Sequence, residues 1–278
     1  MKFIKVIKIY ANLDNVQPCL KEINGKNSLY YDIRSLQNDV RRLKNYSMRM
    51  CFDYDQSQYD YFKYMERCKE ELGVSNYPQA YPQDFSKYKS FDGFIYNAVA
   101  KDYPAMNKEI VASITQKIWE EYKKDKKQII SGERSLRSYK KNQPIPNKAK
   151  RCKLEYVDDL NYVLHVSLFS REKLKELGLK PGGVRFILRD QTDNERAILD
   201  RILSGEYKLT ETQLAYDSRI NHRTKKPLGW YFCIGYSFEM DTGNLSLDKN
   251  KILGVDLGIT NVLYLGWSKD DQYKKYMF

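Results

Sequence analysis

The chain has 278 residues, room for two domains and a sizeable core, and carries 48 Lys or Arg against 36 Asp or Glu, a net charge of +12. Its five cysteines (Cys19, Cys51, Cys68, Cys152, Cys233) are scattered without a C-x-x-C pair. That spacing argues against a disulfide framework and against zinc within this chain, and it fits a reducing cytoplasm. No stretch approaches the roughly 18 apolar residues of a membrane span. The opening K-F-I-K-V-I-K-I-Y is interrupted by lysines and lacks a small-residue cleavage site, so a strand is expected there rather than a signal peptide. Basic charge beside 24 tyrosines suits a nucleic-acid partner, because cations neutralise phosphates and flat rings stack on unpaired bases. A basic protein with tyrosines in its core has the same composition.

After the first strand, at residues 2–10, the period changes. Leu29, Ile33, Leu36, Val40 and Leu43 recur at steps of four and three and predict one apolar stripe on a helix. Arg34, Arg41, Arg42 and Lys44 lie off that stripe, as a solvated face or as one that tracks phosphates. A second helix is expected over residues 57–72, ending at Gly73, then a Pro- and Tyr-containing loop at 74–90 and short helical pieces at 91–101. The clearest helix begins near Ala105, with Met106, Ile110, Val111, Ile114, Ile118, Tyr122 and Ile129 on its apolar face, and stops at Ser131-Gly132.

The most basic stretch follows. From Glu121 to Lys153 there are 12 Lys or Arg against 3 acids. Within it, S-G-E-R-S-L-R-S-Y-K-K-N-Q-P-I-P places Arg134, Arg137, Lys140 and Lys141 around Tyr139, with Lys148, Lys150 and Arg151 just beyond. Interleaved cations and a ring can grip a backbone and stack on a base, and these eight are the candidate nucleic-acid-binding residues. A flexible basic linker between a helical and a β region is the other reading.

Past Arg151 the period becomes two. Strands are expected at 162–168, 184–189, 207–217 and 230–239, the last with Trp230, Phe232, Ile234, Tyr236 and Phe238 on one face. His165 is expected to be structural. Thr192-Asp-Asn-Glu195 has capping-box spacing and opens a helix that runs to Gly205, and a basic turn (Arg219, His222, Arg223, Lys225, Lys226) precedes Trp230. Four or five strands with an inserted helix suggest a small barrel of the oligonucleotide-binding kind.

Near the C-terminus, K-I-L-G-V-D-L-G-I-T-N-V-L-Y-L puts Asp256 inside an apolar strand, with Gly258 and a returning strand behind it. A buried carboxylate there is expensive unless paired or metal-bound. Ribonuclease-H-like folds begin this way, with the first Asp holding a divalent metal. An Asp capping a hairpin turn is the alternative. No Walker loop, H-E-x-x-H or G-x-S-x-G is present.

The basic string, D-R-I-L-S-G-E-Y-K (Asp200 to Lys208), W-Y-F-C-I-G-Y-S-F-E and I-L-G-V-D-L-G-I-T follow one another in an order that resembles the miniature type V (subtype V-F) CRISPR effector nucleases and, more distantly, their transposon-encoded TnpB relatives. The resemblance covers essentially the whole chain. It implies an α+β fold: a helical recognition lobe (13–130) inserted after the first strand (1–12) of an antiparallel, oligonucleotide-binding-like wedge barrel (131–250), then the start of a RuvC nuclease domain (251–278). It further implies guide-RNA-directed cleavage of double-stranded DNA, two Mg2+ ions in the complete RuvC site, a pair of identical subunits on one guide RNA, and a prokaryotic cytoplasmic setting without a membrane. Asp256 matches the first RuvC carboxylate, catalytic and metal-binding. The second and third acids have no counterpart, since the 22 residues after Asp256 hold Asp270 and Asp271 but no Glu. The zinc-ribbon cysteines are missing too. The chain is therefore expected to be the N-terminal part of such a nuclease and not to cut DNA by itself. A naturally short, nuclease-dead RNA-guided binder is a competing reading. An actin-like ATPase, whose phosphate hairpin G-V-D-L-G-I-T-N resembles, is another.

Overall fold

The computed structural model describes residues 2–13, 22–23, 26–73, 90–157, 162–180, 183–239, 252–256, 264–269 and 272–277. For 22–23, 26–28, 72 and everything from 252 onward it describes the backbone alone. Two compact units result, Ile4–Phe238 and the pair of segments Met1–Phe3 and Glu239–Phe278.

The larger unit takes in β1 (Lys2–Leu13) from Ile4 onward, followed by a two-residue ladder, β2 (Glu22–Ile23) with β3 (Lys26–Asn27). Three helices come next, α1 (Ser28–Leu72), α2 (Phe91–Val99) and α3 (Lys108–Ile130). The sequence predicts two helices where α1 runs unbroken for 45 residues. The apolar stripe does not stop after Leu43; it passes through Ser47, Met48, Cys51 and Asp55, all buried. Polar residues at two of these positions hide the period. Asp55 tolerates burial because Lys126 Nζ of α3 donates to it at 2.8 Å. Gly73, with φ +64°, ends the helix in the left-handed backbone that Gly adopts without strain. The third helix begins later than its apolar period suggests. Asn107 caps it by accepting from Glu109 N at 2.9 Å, while Met106 lies outside in a β-bridge to Phe169.

Then come β4 (Ile145–Asn147), one turn of 3-10 helix (Ala149–Arg151), β5 (Cys152–Tyr156), β6 (Tyr162–Val166), α4 (Arg171–Glu176), β7 (Val184–Arg189), α5 (Asp193–Leu203), β8 (Lys208–Ile220) and β9 (Pro227–Glu239). The capping box at Thr192 and Glu195 is formed, both bonds present. These strands and β1 make one seven-stranded antiparallel sheet in the order β4-β8-β9-β1-β7-β6-β5. The sequence suggests only four or five strands. The strand at β5 escapes notice because it is partly exposed throughout and its short run C-K-L-E-Y carries two charges.

The order forces the sheet to curl. A flat sheet would hold β4 and β5 roughly 29 Å apart at about 4.8 Å per strand. The step from Asn147 to Cys152 reaches ~18 Å at full extension. The edges therefore meet, and Cys152 Sγ of β5 lies 3.0 Å from Thr212 Oγ1 of β8. Inside the curl pack Ile9, Leu164, Phe186, Leu214, Phe232 and Ile234, with Phe186 and Phe232 edge-to-face at 5.1 Å. Gly235 of β9 sits where β8 shifts register between Leu209 and Thr212; a Cβ there would meet Glu211 O at 2.6 Å. His165 is held by Glu155 at 2.8 Å, the structural role expected of it.

The smaller unit is an antiparallel meander, β10 (Ile252–Asp256), β11 (Tyr264–Lys269) and β12 (Gln272–Met277). Its third strand is not foreseen in the sequence. No helix of the described residues is long and apolar enough to cross a membrane.

Candidate nucleic-acid interface

The basic string is a docked strap rather than a slack linker. After α3 ends, Arg134 N donates to Gln128 O at 3.0 Å and turns the chain back along the helix it has just left. Arg134 then pairs with Asp125, Arg137 reaches Glu121 at 3.3 Å and Asp125 at 3.4 Å, and the Tyr139 hydroxyl donates to Glu121. On its other side the strap is fixed to α1. Asn45 Oδ1 accepts from Tyr139 N at 2.8 Å and Asn45 Nδ2 donates to Tyr139 O at 3.0 Å. Lys44 lies over the Tyr139 ring at 5.3 Å and donates to Gln143 at 3.1 Å. Burial and the bond to Glu121 both push the Tyr139 hydroxyl far above its ordinary pKa, so it stays a donor.

The eight candidate residues therefore fall into three sets. Arg134, Arg137 and Tyr139 are gathered against Glu121 and Asp125, with both guanidinium groups still about half exposed (46% and 45%). Lys150 and Arg151 converge on Glu109 in the first turn of α3, Lys150 at 3.1 Å. The bond from Arg151, ahead of that from Lys150, holds the Glu109 carboxyl below the usual range. Lys140, Lys141 and Lys148 are exposed and make no ion pair among the described residues. The strap thus presents a few unspent charges on a fixed backbone, where a free linker would present all of them on a mobile one.

Sequence reasoning misses a second basic surface across β1, β8 and β9. Asp217, only 8% exposed, receives Arg219 Nη2 at 2.6 Å, Arg219 Nε at 3.0 Å, the Tyr10 hydroxyl at 3.1 Å and Lys8 Nζ at 3.5 Å. Lys8 lies over Tyr231 at 4.2 Å and Tyr10 at 4.8 Å. Arg34 of α1 stacks over Tyr216 at 4.4 Å, and Tyr30 meets Tyr216 and Trp230 edge-on. The available signal was alternation: Asp217 and Arg219 are two apart on a strand and face one way. On α1, Arg41, Arg42, Asn45, Tyr46 and Arg49 line an open cleft with Asp102 and Tyr103.

Asp256 is the last residue of β10, opposite Tyr264 in the ladder. Its side chain and the turn beyond it lie outside the described residues. Among the described residues no three His, Cys, Asp or Glu side chains gather to hold a metal ion.

No family model matches the chain. Among curated proteins it is 27% identical over 236 residues to the CRISPR-associated endodeoxyribonuclease Cas12f1 of Sulfoacidibacillus thermotolerans, covering 84% of this chain and 50% of that protein. It is also 27% identical over 204 residues to the Cas12f1 of Syntrophomonas palmitatica, covering 72% of this chain and 39% of that one. The chain resembles the miniature type V CRISPR effectors. A Cas12f1 chain in a cryo-EM structure of a Cas12f1-sgRNA-target DNA complex shares the fold, with a TM-score of 0.53 over 90% of this chain and 50% of that one, at 16% identity. The chain spans half or less of the length of the Cas12f1 relatives it matches.

Proposed function

We propose that this chain is the guide-RNA- and target-DNA-gripping part of an RNA-guided DNA endonuclease. The observation that carries the reading is the 27% identity to a Cas12f1 endodeoxyribonuclease over 236 residues. A match of 236 residues is longer than either the helical region (13–130) or the sheet region (131–250), so it runs through both. The net charge of +12 supports it. In this reading α1, α2 and α3 form the recognition lobe and the curled sheet is an oligonucleotide-binding-like wedge. The meander after residue 251 is the beginning of a RuvC domain. Lys140, Lys141 and Lys148 meet phosphates directly, while Arg134, Arg137, Lys150 and Arg151 exchange carboxylates for phosphates as the nucleic acid arrives. Two such subunits act on one guide RNA in a prokaryotic cytoplasm.

In the parent enzyme Asp256 would be the first metal ligand of a Mg2+-dependent site. A two-metal site needs several converging carboxylates, and the described residues supply no such group. The chain alone is proposed to leave DNA uncut.

The test is binding of the chain to its cognate guide scaffold and to random RNA of equal length at about 200 mM salt, where non-specific attraction is weak. Tighter binding to the scaffold, falling steeply as salt rises, is expected. Equal affinity for both would overturn the reading.

A further inference from the structure

The tip of the β8–β9 hairpin carries Arg219, Arg223, Lys225 and Lys226 within eight residues that contain no acid. The loop is built to hold them still. Asn221 N donates to Lys226 O at 2.8 Å, Lys225 N donates back to Asn221 O at 2.9 Å, and Asn221 Oδ1 accepts from Arg223 N at 2.9 Å and Thr224 N at 3.2 Å. At its base, Arg189 Nη2 ties down Leu228 O at 2.6 Å.

Of the four cations, Arg219 is already matched by Asp217. Arg223, Lys225 and Lys226 are exposed and have no ion pair among the described residues. Like charges fixed this close repel one another in the free protein and are relieved by a polyanion. Beside them lies an open cleft of about 640 Å³, lined by Arg219, Ile220, Asn221, His222, Arg223 and Leu228. Ile220 is 53% exposed although it sits among charges. A cleft with cations on its rim and an aliphatic floor suits a ligand that is both anionic and flat. A duplex offers its phosphates but keeps its base faces stacked inside, whereas an unpaired strand offers both.

We propose that the β8–β9 hairpin is a binding site for an unpaired RNA segment, with phosphates on Arg223, Lys225 and Lys226 and a base against Ile220 and Leu228. It rests on the nucleic-acid reading above and assigns one surface within it. The basic strap and the hairpin then share the work: the strap spends most of its charge on α3, and the hairpin keeps its own for the ligand.

The experiment is fluorescence anisotropy of the whole chain with a labelled single-stranded RNA of mixed sequence, and with the same RNA annealed to its complement, across a salt series. The variants are Arg223→Ala/Lys226→Ala, which spares the Asp217–Arg219 pair, and Ile220→Ser. All three side chains are exposed, and unchanged melting curves check the fold. Losing two phosphate contacts should lower the slope of log affinity against log salt by about 1.4 for a single strand. The Ile220 variant should weaken single-strand binding about fivefold, leaving the salt slope and duplex binding unchanged. Wild-type affinity and slope in both variants would overturn the hairpin site while the strap and the wider reading stand. Equal losses for single strand and duplex would overturn the unpaired-base assignment. A wild-type chain that binds neither RNA would overturn the nucleic-acid reading itself.

Discussion

Asn45→Ala tests whether the strap is held or merely adjacent. The Asn45 amide makes two reciprocal bonds to the Tyr139 backbone, 2.8 and 3.0 Å, across 94 residues of sequence. A net value of about 1 kcal/mol for each gives a loss of ~2 kcal/mol from the docked state of the strap. At 1.4 kcal/mol per factor of ten, opening of the strap becomes about 30 times more frequent. Other strap contacts lie elsewhere: Arg134 and Arg137 hold α3, and the Tyr139 hydroxyl holds Glu121. The global core is untouched, so the melting temperature should move by only a few degrees. Trypsin reports the local event directly, because Arg134, Arg137, Lys140 and Lys141 are all cleavage points that need an extended, released backbone. Timed digestion with cleavage sites read by mass spectrometry should show strap cuts accelerated about 30-fold and cuts elsewhere unchanged. Strap cleavage at the wild-type rate, with melting also unchanged, would refute the claim that Asn45 fixes this segment.

Gly235→Ala should destabilise by about 1–3 kcal/mol, since the new methyl would sit 2.6 Å from Glu211 O and 2.5 Å from Thr210 Oγ1 in a sheet with no slack; thermal melting measures it. Lys126→Ala leaves the buried Asp55 without its partner and should lower the urea midpoint by an amount equivalent to about 1–2 kcal/mol, with Asp55→Asn in the same background restoring part of it. The bond from Arg219, opposed by burial, holds the Asp217 carboxyl well below its ordinary value. Its folded pKa lies below its unfolded one, so the stabilisation is full above the ordinary carboxylate range and fades as pH falls toward the folded value. Arg219→Ala should therefore lower the melting temperature at pH 7 and flatten its decline between pH 4 and 2.

The long-range architecture was partly legible in the sequence, and the reasons differ by element. Where burial follows a clean period, as at Leu29 to Leu43 or Trp230 to Ile234, the elements form as the spacing predicts. The continuity of α1 was hidden because polar Ser47 and Asp55 occupy core positions, and the partner that Asp55 needs, Lys126, lies on another helix. The edge strand β5 was hidden because its residues are never fully buried. The eight basic-string candidates share one stretch of sequence, but four of them (Arg134, Arg137, Lys150 and Arg151) are paired by carboxylates on α3, and nothing local announces Glu121, Asp125 or Glu109 as those partners. The hairpin site failed in the opposite way. Its charges were visible as a basic turn, but the cleft beside them exists only once β8 and β9 are paired.

The place of β1 in the sheet has a consequence for how this protein is made. Its neighbours are β9 and β7, both far downstream, so this strand leaves the ribosome long before either partner exists. Between Leu13 and the start of β7 at Val184 lie 170 residues, roughly 10–30 s of synthesis at 5–20 residues per second. Through that interval β1 is an unpaired edge, the state most open to pairing with another nascent chain. Its own composition guards it. Lys2, Lys5 and Lys8 recur every third residue among Phe3, Ile4, Val6, Ile7 and Ile9, a gatekeeper spacing that leaves no more than two adjacent apolar residues between charges. Replacing these lysines with Thr would keep the strand's propensity and is expected to turn soluble translation product into aggregate before the helices and the rest of the sheet have anything to close upon.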